Sequence, residues 1–148
     1  MPATGTILVV DDSPNDLELI SRCFKQLKIA NRIQLCSSGD DAISYLQRKE
    51  LPSVVLLDLK MPGRNGFYVL RRIKTEPEWR DIVVIVLTTS YNVGDIQLAY
   101  ELGANSFLTK PLDLTEFKEM IAAFNTYWLV HAQPPIKRGK LITPDQAA

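Results

Sequence analysis

The stretch ILVVDDSP, residues 7–14, joins an apolar run to two carboxylates and then to a helix start. Consecutive aliphatic residues without polar alternation predict a strand that is covered on both faces, as in a parallel sheet. Ser13 can cap a helix that has Pro14 at its first position and Asp16 three residues after the cap. The stretch therefore predicts a strand, an acidic turn and a helix in succession.

The same strand-to-helix unit recurs along the chain. Short runs rich in Val, Ile and Leu alternate with segments whose apolar residues have helical spacing. The predicted strands are Ile7 to Val10, Ile33 to Cys36, Val54 to Leu57, Ile82 to Leu87 and Ser106 to Leu108. Because crossovers between parallel strands are right-handed, helices cover both faces of such a sheet. We therefore predict an α/β fold with a doubly wound, five-stranded parallel sheet.

The last predicted helix opens at Asp113, with Glu116 three residues on, and carries the longest apolar stripe of the chain. Its apolar residues are Phe117, Met120, Ile121, Phe124, Tyr127 and Trp128. This stripe is longer than a small sheet needs for its cover. Aromatic anchors concentrate binding energy at interfaces, so we expect a contact face for a second copy or a partner. The alternative is a helix that folds back over the edge of the core.

Composition narrows the classes of function. The chain has 148 residues with 17 basic and 17 acidic side chains, so no global field favours nucleic acid or an anionic membrane. Its single histidine, His131, excludes imidazole-rich metal sites and Ser-His-Asp catalysis. The longest apolar run, Ile82 to Leu87, is too short to cross a bilayer. We expect one cytoplasmic domain with reduced, buried thiols at Cys23 and Cys36.

Polar side chains follow the predicted strands at their carboxyl ends, where an open parallel sheet binds ligands. They are Asp11 and Asp12, Asp58, Thr88 and Thr89, and Thr109 and Lys110. Carboxylates that meet in this way repel one another unless a cation lies among them. Magnesium suits one or two carboxylates, a carbonyl and retained waters. Asp11 and Asp12 alone also fit a solvated turn, but together with Asp58 and Lys110 they predict a Mg²⁺ site.

Segments at these strand ends resemble the motifs of two-component response regulator receiver domains of the CheY-like type. They are Val9-Val10-Asp11-Asp12-Ser13, Leu56-Leu57-Asp58-Leu59-Lys60-Met61-Pro62-Gly63, Leu87-Thr88-Thr89 and Leu108-Thr109-Lys110-Pro111. The resemblance covers Thr6 to Trp128, and the order of the segments makes it specific. It implies a flavodoxin-like sheet with strand order 2-1-3-4-5.

The resemblance also implies a chemistry for the acidic residues. Asp58 is the expected phosphoacceptor, a carboxylate nucleophile that takes a phosphoryl group from a phosphohistidine. Asp11, Asp12 and Asp58 are the expected side-chain ligands of Mg²⁺. The backbone carbonyl of Lys60 completes the protein ligands, and the metal neutralises charge on the transferring group.

Three further residues receive roles from the same resemblance. Lys110 is expected to contact a phosphoryl oxygen, aimed inward by a cis peptide bond before Pro111, although a plain turn is the alternative there. Thr88 is the hydroxyl donor expected to move toward the phosphate. Its shift makes space for Phe107, which turns inward and reshapes the surface of helix four, strand five and helix five. The alternative for Phe107 is simple core filling.

The stretch Leu87 to Asn92, Trp79 and the ending Phe124 to Leu129 resemble more specifically the small regulators paired with phytochrome-type kinases. The receiver resemblance implies a sensor histidine kinase as partner, and the narrower resemblance implies one of the phytochrome type. After Leu129 the chain loses its apolar period and contains two prolines and a glycine. We expect a receiver domain over residues 5–130 and a tail over 131–148 with no output domain.

Three other readings fit parts of the pattern. A hydrolase of the haloacid dehalogenase type needs a second carboxylate two residues after the nucleophile, where this chain has Lys60. A flavin carrier of the same topology needs hydroxyl and glycine groups after strand one, where Asp11 and Asp12 would repel its phosphate. A phosphorylation-independent interaction module remains, and the intact acidic residues argue against it.

Overall fold

Five strand-helix units follow one another in the computed structural model, which describes residues 5–48 and 50–133. The strands are β1 (Ile7–Val10), β2 (Ile33–Cys36), β3 (Val54–Leu57), β4 (Val83–Thr88) and β5 (Ser106–Thr109). The helices are α1 (Pro14–Gln26), α2 (Gly39–Leu46), α3 (Gly66–Thr75), α4 (Val93–Glu101) and α5 (Leu114–Phe124), followed by a π-helical segment (Asn125–His131). Strand β4 lies one residue later than predicted, and β5 extends to Thr109.

The five strands form one parallel sheet in the order β2-β1-β3-β4-β5. The predicted fold class and strand order are therefore confirmed. Strands β1, β3 and β4 are buried at every position, as continuous apolar runs require in a sheet covered on both faces. Strand β5 is an edge, and its residues are half-buried or exposed.

The core has two parts, one on each face of the sheet. On one face, Ile20 and Phe24 of α1 pack with Phe117 and Ile121 of α5. On the other face, the apolar sides of α2 and α3 pack with Ala99 of α4. Both cysteines are buried and unpaired, as predicted. In the part of the chain that the structure describes, no helix is long and apolar enough to span a bilayer.

Side-chain caps fix where the helices begin. Ser13 accepts a hydrogen bond from the Asp16 N–H at 3.2 Å, with Pro14 at the first helical position. Asp113 accepts from the N–H groups of Thr115 at 2.7 Å and Glu116 at 3.1 Å. Both predicted starts are confirmed, and the caps satisfy backbone donors that have no partner within the helix.

The predicted course of the last helix is wrong after Phe124. The chain continues as a π-helical segment, whose wider turn brings residues four and five positions after Phe124 toward the core. Leu129 is buried, whereas Tyr127 is 59% exposed. The segment ends at His131, the first residue of the predicted tail. Residues 134–148 of that tail lie outside the described residues.

Candidate functional site

Three carboxylates meet at the carboxyl edge of the sheet. Strands β1 and β3 are neighbours with Val10 opposite Leu57, so the residues that follow, Asp11 and Asp58, lie side by side. The Asp58 N–H donates to the Val10 carbonyl at 2.9 Å and continues the ladder beyond the strands. Carboxylate oxygens of Asp11, Asp12 and Asp58 all lie within 4.8 Å of one another. Asp11 and Asp58 are buried and Asp12 is exposed, so the cluster opens to solvent on one side.

The loop after Asp58 depends on two glycines. A Cβ at Gly66 would overlap the carbonyl oxygen of Asp58 and lie 2.7 Å from the Cα of Leu59. Gly66 therefore lets α3 begin directly against the end of β3, where its N–H donates to the Leu59 carbonyl at 3.0 Å. Gly63 has φ of +71°, a left-handed conformation that side chains disfavour. Lys60 lies in this loop, immediately beyond the acidic residues.

Lys110 reaches the acidic cluster from β5. Its backbone N–H donates to the Thr88 carbonyl at 2.7 Å, which holds this residue against the end of β4. Its ammonium donates to Asp11 Oδ2, and to Asp16 Oδ2 at 2.8 Å. The side chains of Lys110 and Asp11 are only 6% and 3% exposed. We define the acidic edge as Asp11, Asp12, Asp58 and Lys110.

The expected cis bond before Pro111 is wrong, because every peptide bond in the described residues is trans. The backbone contact of Lys110 with Thr88 already holds Lys110 at the sheet edge with its side chain inward.

The acidic edge has fewer positive than negative groups, one ammonium against three carboxylates. Burial raises the pKa of Asp11, and the hydrogen bonds from Lys110 and Ser13 only partly oppose this. Burial acts to lower the pKa of Lys110, but its bonds to Asp11 and Asp16 outweigh burial and leave that pKa above its ordinary value. One buried ammonium thus serves several carboxylates. A hard divalent cation fits this all-oxygen donor set and the charge it leaves uncompensated.

Thr88 ends β4 beside the acidic edge. Its hydroxyl is buried and, within the described residues, has no hydrogen-bond partner. A buried hydroxyl without a partner costs about 1–3 kcal/mol relative to a satisfied one. The structure therefore places an unused donor next to the predicted phosphoacceptor.

Phe107 lies on β5 opposite Val86 and packs, half-buried, against the core face that holds α2, α3 and α4. Its N–H donates to the hydroxyl of Tyr100 on α4 at 3.1 Å. This contact ties the edge strand to α4. The Tyr100 hydroxyl was not predicted, because nothing in the sequence marks which N–H of an edge strand a helix will cover.

A second group of contacts that the sequence did not predict lies at the start of α4. Ser90 donates to Asp95 Oδ2 at 2.6 Å, and the Lys60 ammonium lies 3.1 Å from the same oxygen. The bonds from Ser90 and then Lys60 lower the pKa of Asp95. The sequence does not mark Asp95, which looks like an ordinary acidic residue in the first turn of a helix. Thr89 is exposed beside them.

Comparison with known proteins agrees with this geometry. Residues 7–122 match the response regulator receiver domain family. The chain is 39% identical over 128 residues to the probable methanogenesis regulatory protein FilR2 of Methanothrix harundinacea, covering 83% of each protein. It is 35% identical over 129 residues to response regulator Rcp1 of Synechocystis sp., covering 83% of this chain and 88% of Rcp1.

Two solved structures resemble the whole fold. The Mn²⁺-bound form of Rcp1 superposes with a TM-score of 0.83 at 34% identity, covering 88% of this chain and 99% of that one. The phosphorylated cyanobacterial phytochrome response regulator RcpA superposes with a TM-score of 0.84 at 30% identity, covering 88% and 98%. The chain belongs to the response regulator receiver domain family, and its predicted class, a receiver of two-component signalling, is confirmed.

Proposed function

We propose that this protein accepts a phosphoryl group on Asp58 from a sensor histidine kinase and changes a distant surface in response. The observation that carries the proposal is the acidic edge itself. It combines a buried carboxylate directly after β3, two carboxylates directly after β1 and a buried ammonium directly after β5. The phosphorylated RcpA structure supports the same chemistry in a similar protein.

The transfer is a displacement at phosphorus. An Asp58 carboxylate oxygen attacks, a P–O bond forms, and the P–N bond to the kinase histidine breaks. The bonding electrons leave with the imidazole nitrogen, which remains as neutral histidine after proton balance with solvent. Charge accumulates on the transferring oxygens, and the buried ammonium of Lys110, which bonds to Asp11, is a protein cation placed to receive it. Beyond this transfer and the hydrolysis of its own phosphate, we assign the chain no enzyme activity.

The divalent cation is assigned as Mg²⁺. Asp11, Asp12 and Asp58 would hold it with the backbone carbonyl of Lys60, and when bound it supplies charge neutralisation for the transferring phosphoryl group. Mn²⁺ occupies the similar protein Rcp1. Asp11 also accepts the Ser13 N–H at 2.9 Å, which orients its carboxylate before any cation arrives.

The proposed switch begins at Thr88. Its unpartnered hydroxyl lies at the end of β4, the strand beside β3, and a phosphate on Asp58 adds about 1.5–2 negative charges at that edge. Movement of Thr88 would free space for Phe107 on the neighbouring strand. The backbone N–H of Phe107 donates to the Tyr100 hydroxyl of α4, so a change in β5 at this residue would reach the surface formed by α4, β5 and α5.

We assign the kinase partner to the phytochrome type, supported by the similarity to RcpA. A second copy of the chain is the proposed partner of the α5 region. Tyr127 and Val130 are 59% and 51% exposed, and Tyr127 stacks edge-on against Trp128 at 5.0 Å. In light scattering with beryllofluoride, Tyr127→Ala with Trp128→Ala should weaken association without unfolding. A parent that stays monomeric with and without beryllofluoride contradicts this assignment. Nucleic acid and membranes are not proposed as partners, and a cytoplasmic location remains a prediction.

The phosphoacceptor role is tested by labelling with a small phosphodonor and Mg²⁺. The parent should acquire an acid-labile, hydroxylamine-sensitive phosphate that EDTA prevents. Asp58→Asn should abolish labelling, because the amide is isosteric but a poor nucleophile. Asp113→Asn is the matched control, since it makes the same change at an exposed cap and should label normally. Normal labelling of Asp58→Asn would overturn the assignment.

A further inference from the structure

Asp16 contributes a fourth carboxylate to the surroundings of Lys110. Its Oδ2 lies 2.8 Å from the ammonium, and its side chain is 31% exposed. The role of Asp16 in starting α1 uses only its backbone N–H, which donates to Ser13 at 3.2 Å. The Asp16 carboxylate therefore takes no part in the helix cap. In the described structure it accepts a hydrogen bond from Lys110.

Asp11 and Asp16 hold Lys110 in different ways. Asp11 belongs to the group that could hold a cation, so its interaction with Lys110 weakens when positive charge arrives. Asp16 lies outside that group and would still hold the ammonium. A phosphoryl oxygen on Asp58 would then compete with Asp16 for the same ammonium.

We propose that Asp16 is a positioning residue that binds the Lys110 ammonium while Asp58 is unmodified. When Asp58 is phosphorylated, Lys110 must break its contact with Asp16 to bind a phosphoryl oxygen. The inference rests on the proposed phosphoacceptor role of Asp58. The negative charge of Asp16 opposes the phosphorylated form twice: it competes for Lys110, and it adds a like charge beside the phosphate. The same charge favours a divalent cation at the unmodified acidic edge. Removing it should therefore move two affinities in opposite directions.

The test is Asp16→Asn, which keeps the shape of the side chain and removes its charge. Beryllofluoride with saturating Mg²⁺ serves as the phosphoryl mimic, followed by fluorine NMR. Mg²⁺ affinity alone is measured by calorimetry. We expect Asp16→Asn to bind beryllofluoride at least about threefold more tightly and Mg²⁺ about twofold more weakly, as loss of one charge near a partly buried site implies.

Glu18→Gln is the matched control. Glu18 lies on the same helix and lines the same cleft, but its carboxylate pairs with Arg22 at 2.8 Å. It should leave both affinities unchanged. Asp16→Glu restores the charge and should return both affinities toward the parent values. Asp16→Ser provides a second neutral variant if Asp16→Asn unfolds.

Repeating the Asp16→Asn substitution in a Lys110→Gln variant tests whether Asp16 acts through Lys110. The gain in beryllofluoride affinity from Asp16→Asn should be clearly smaller there, because only the like-charge repulsion by Asp16 remains and no ammonium is left to exchange. An equal gain in both backgrounds, or no gain in the parent, overturns the role of Asp16. A parent that binds no beryllofluoride with Mg²⁺ instead overturns the phosphoacceptor role of Asp58, and this inference with it.

Discussion

The acidic edge and the α4–β5 side of the molecule are built in opposite ways. The strands that carry Asp11 and Asp58 are buried at every position. Helix α4 buries only Ala99, and near it Tyr91 and Val93 are 79% and 76% exposed. The first region fixes carboxylates within a few ångströms, while the second has little apolar contact to hold it in one position. The proposed phosphoryl transfer thus lies at the well-packed acidic edge. The proposed response lies on the α4–β5 side, where a rearrangement breaks fewer apolar contacts.

Several hydrogen bonds connect these two regions, in addition to the Lys60–Asp95 ion pair and the pairing of β4 with β5. Lys110 N–H bonds to Thr88, the Thr109 hydroxyl lies 3.4 Å from the Ser90 carbonyl, and Tyr100 bonds to Phe107. Most of them join β4 or its loop to β5. A change at the acidic edge therefore has a short route to the α4–β5 side, through the ends of two neighbouring strands.

The largest expected effect tests the rigidity of the first region. Leu56 is buried in the centre of β3, and Leu56→Ala should lower the free energy of unfolding by about 2–5 kcal/mol. Leu98 of α4 is 40% exposed, and Leu98→Ala should cost less than about 1 kcal/mol. Urea denaturation of the two variants measures both values. Equal losses would remove the contrast between the regions.

Thr88 tests the connection between the regions. Thr88→Val keeps the side-chain shape and removes the unpartnered hydroxyl, so it should raise the free energy of unfolding by about 1 kcal/mol. Thr88→Ala should still accept phosphate. Both variants should lose phosphorylation-dependent association, measured by light scattering with beryllofluoride. Normal association in either variant would contradict the relay from Thr88 to Phe107.

The smallest effect concerns the tie between α4 and β5. Tyr100→Phe removes the hydroxyl that accepts the Phe107 N–H and should lower the free energy of unfolding by about 0.5 kcal/mol, because the hydrogen bond is exposed. Amide hydrogen exchange should rise at residue 107 more than at residue 86, its partner on β4. Tyr91→Phe is the control, since it removes a hydroxyl from an exposed neighbouring position. Unchanged exchange at residue 107 would show that Tyr100 does not hold the strand.

The sequence predicted the acidic edge because each buried apolar run ends abruptly at a polar residue. Asp11, Asp58, Thr88 and Lys110 could be found in this way, since carboxyl ends of parallel strands share one edge. The strand order came from the resemblance alone.

Other features depend on distances that no pattern encodes. Asp16 has the position of an ordinary acid in a first helical turn, and its contact with Lys110 joins residues 94 positions apart. The π-helical segment changes the apolar period after Phe124, which a constant helical spacing could not anticipate.

The central claim is that Asp58, among the three clustered carboxylates, carries the phosphoryl group. Borohydride reduces an aspartyl phosphate to homoserine, so the modified position can be read from peptide masses after treatment of the phosphorylated protein. The account predicts homoserine at residue 58, with residues 11 and 12 unchanged. Homoserine at residue 11 or 12, or at none of the three in protein that has taken up phosphate, would contradict it.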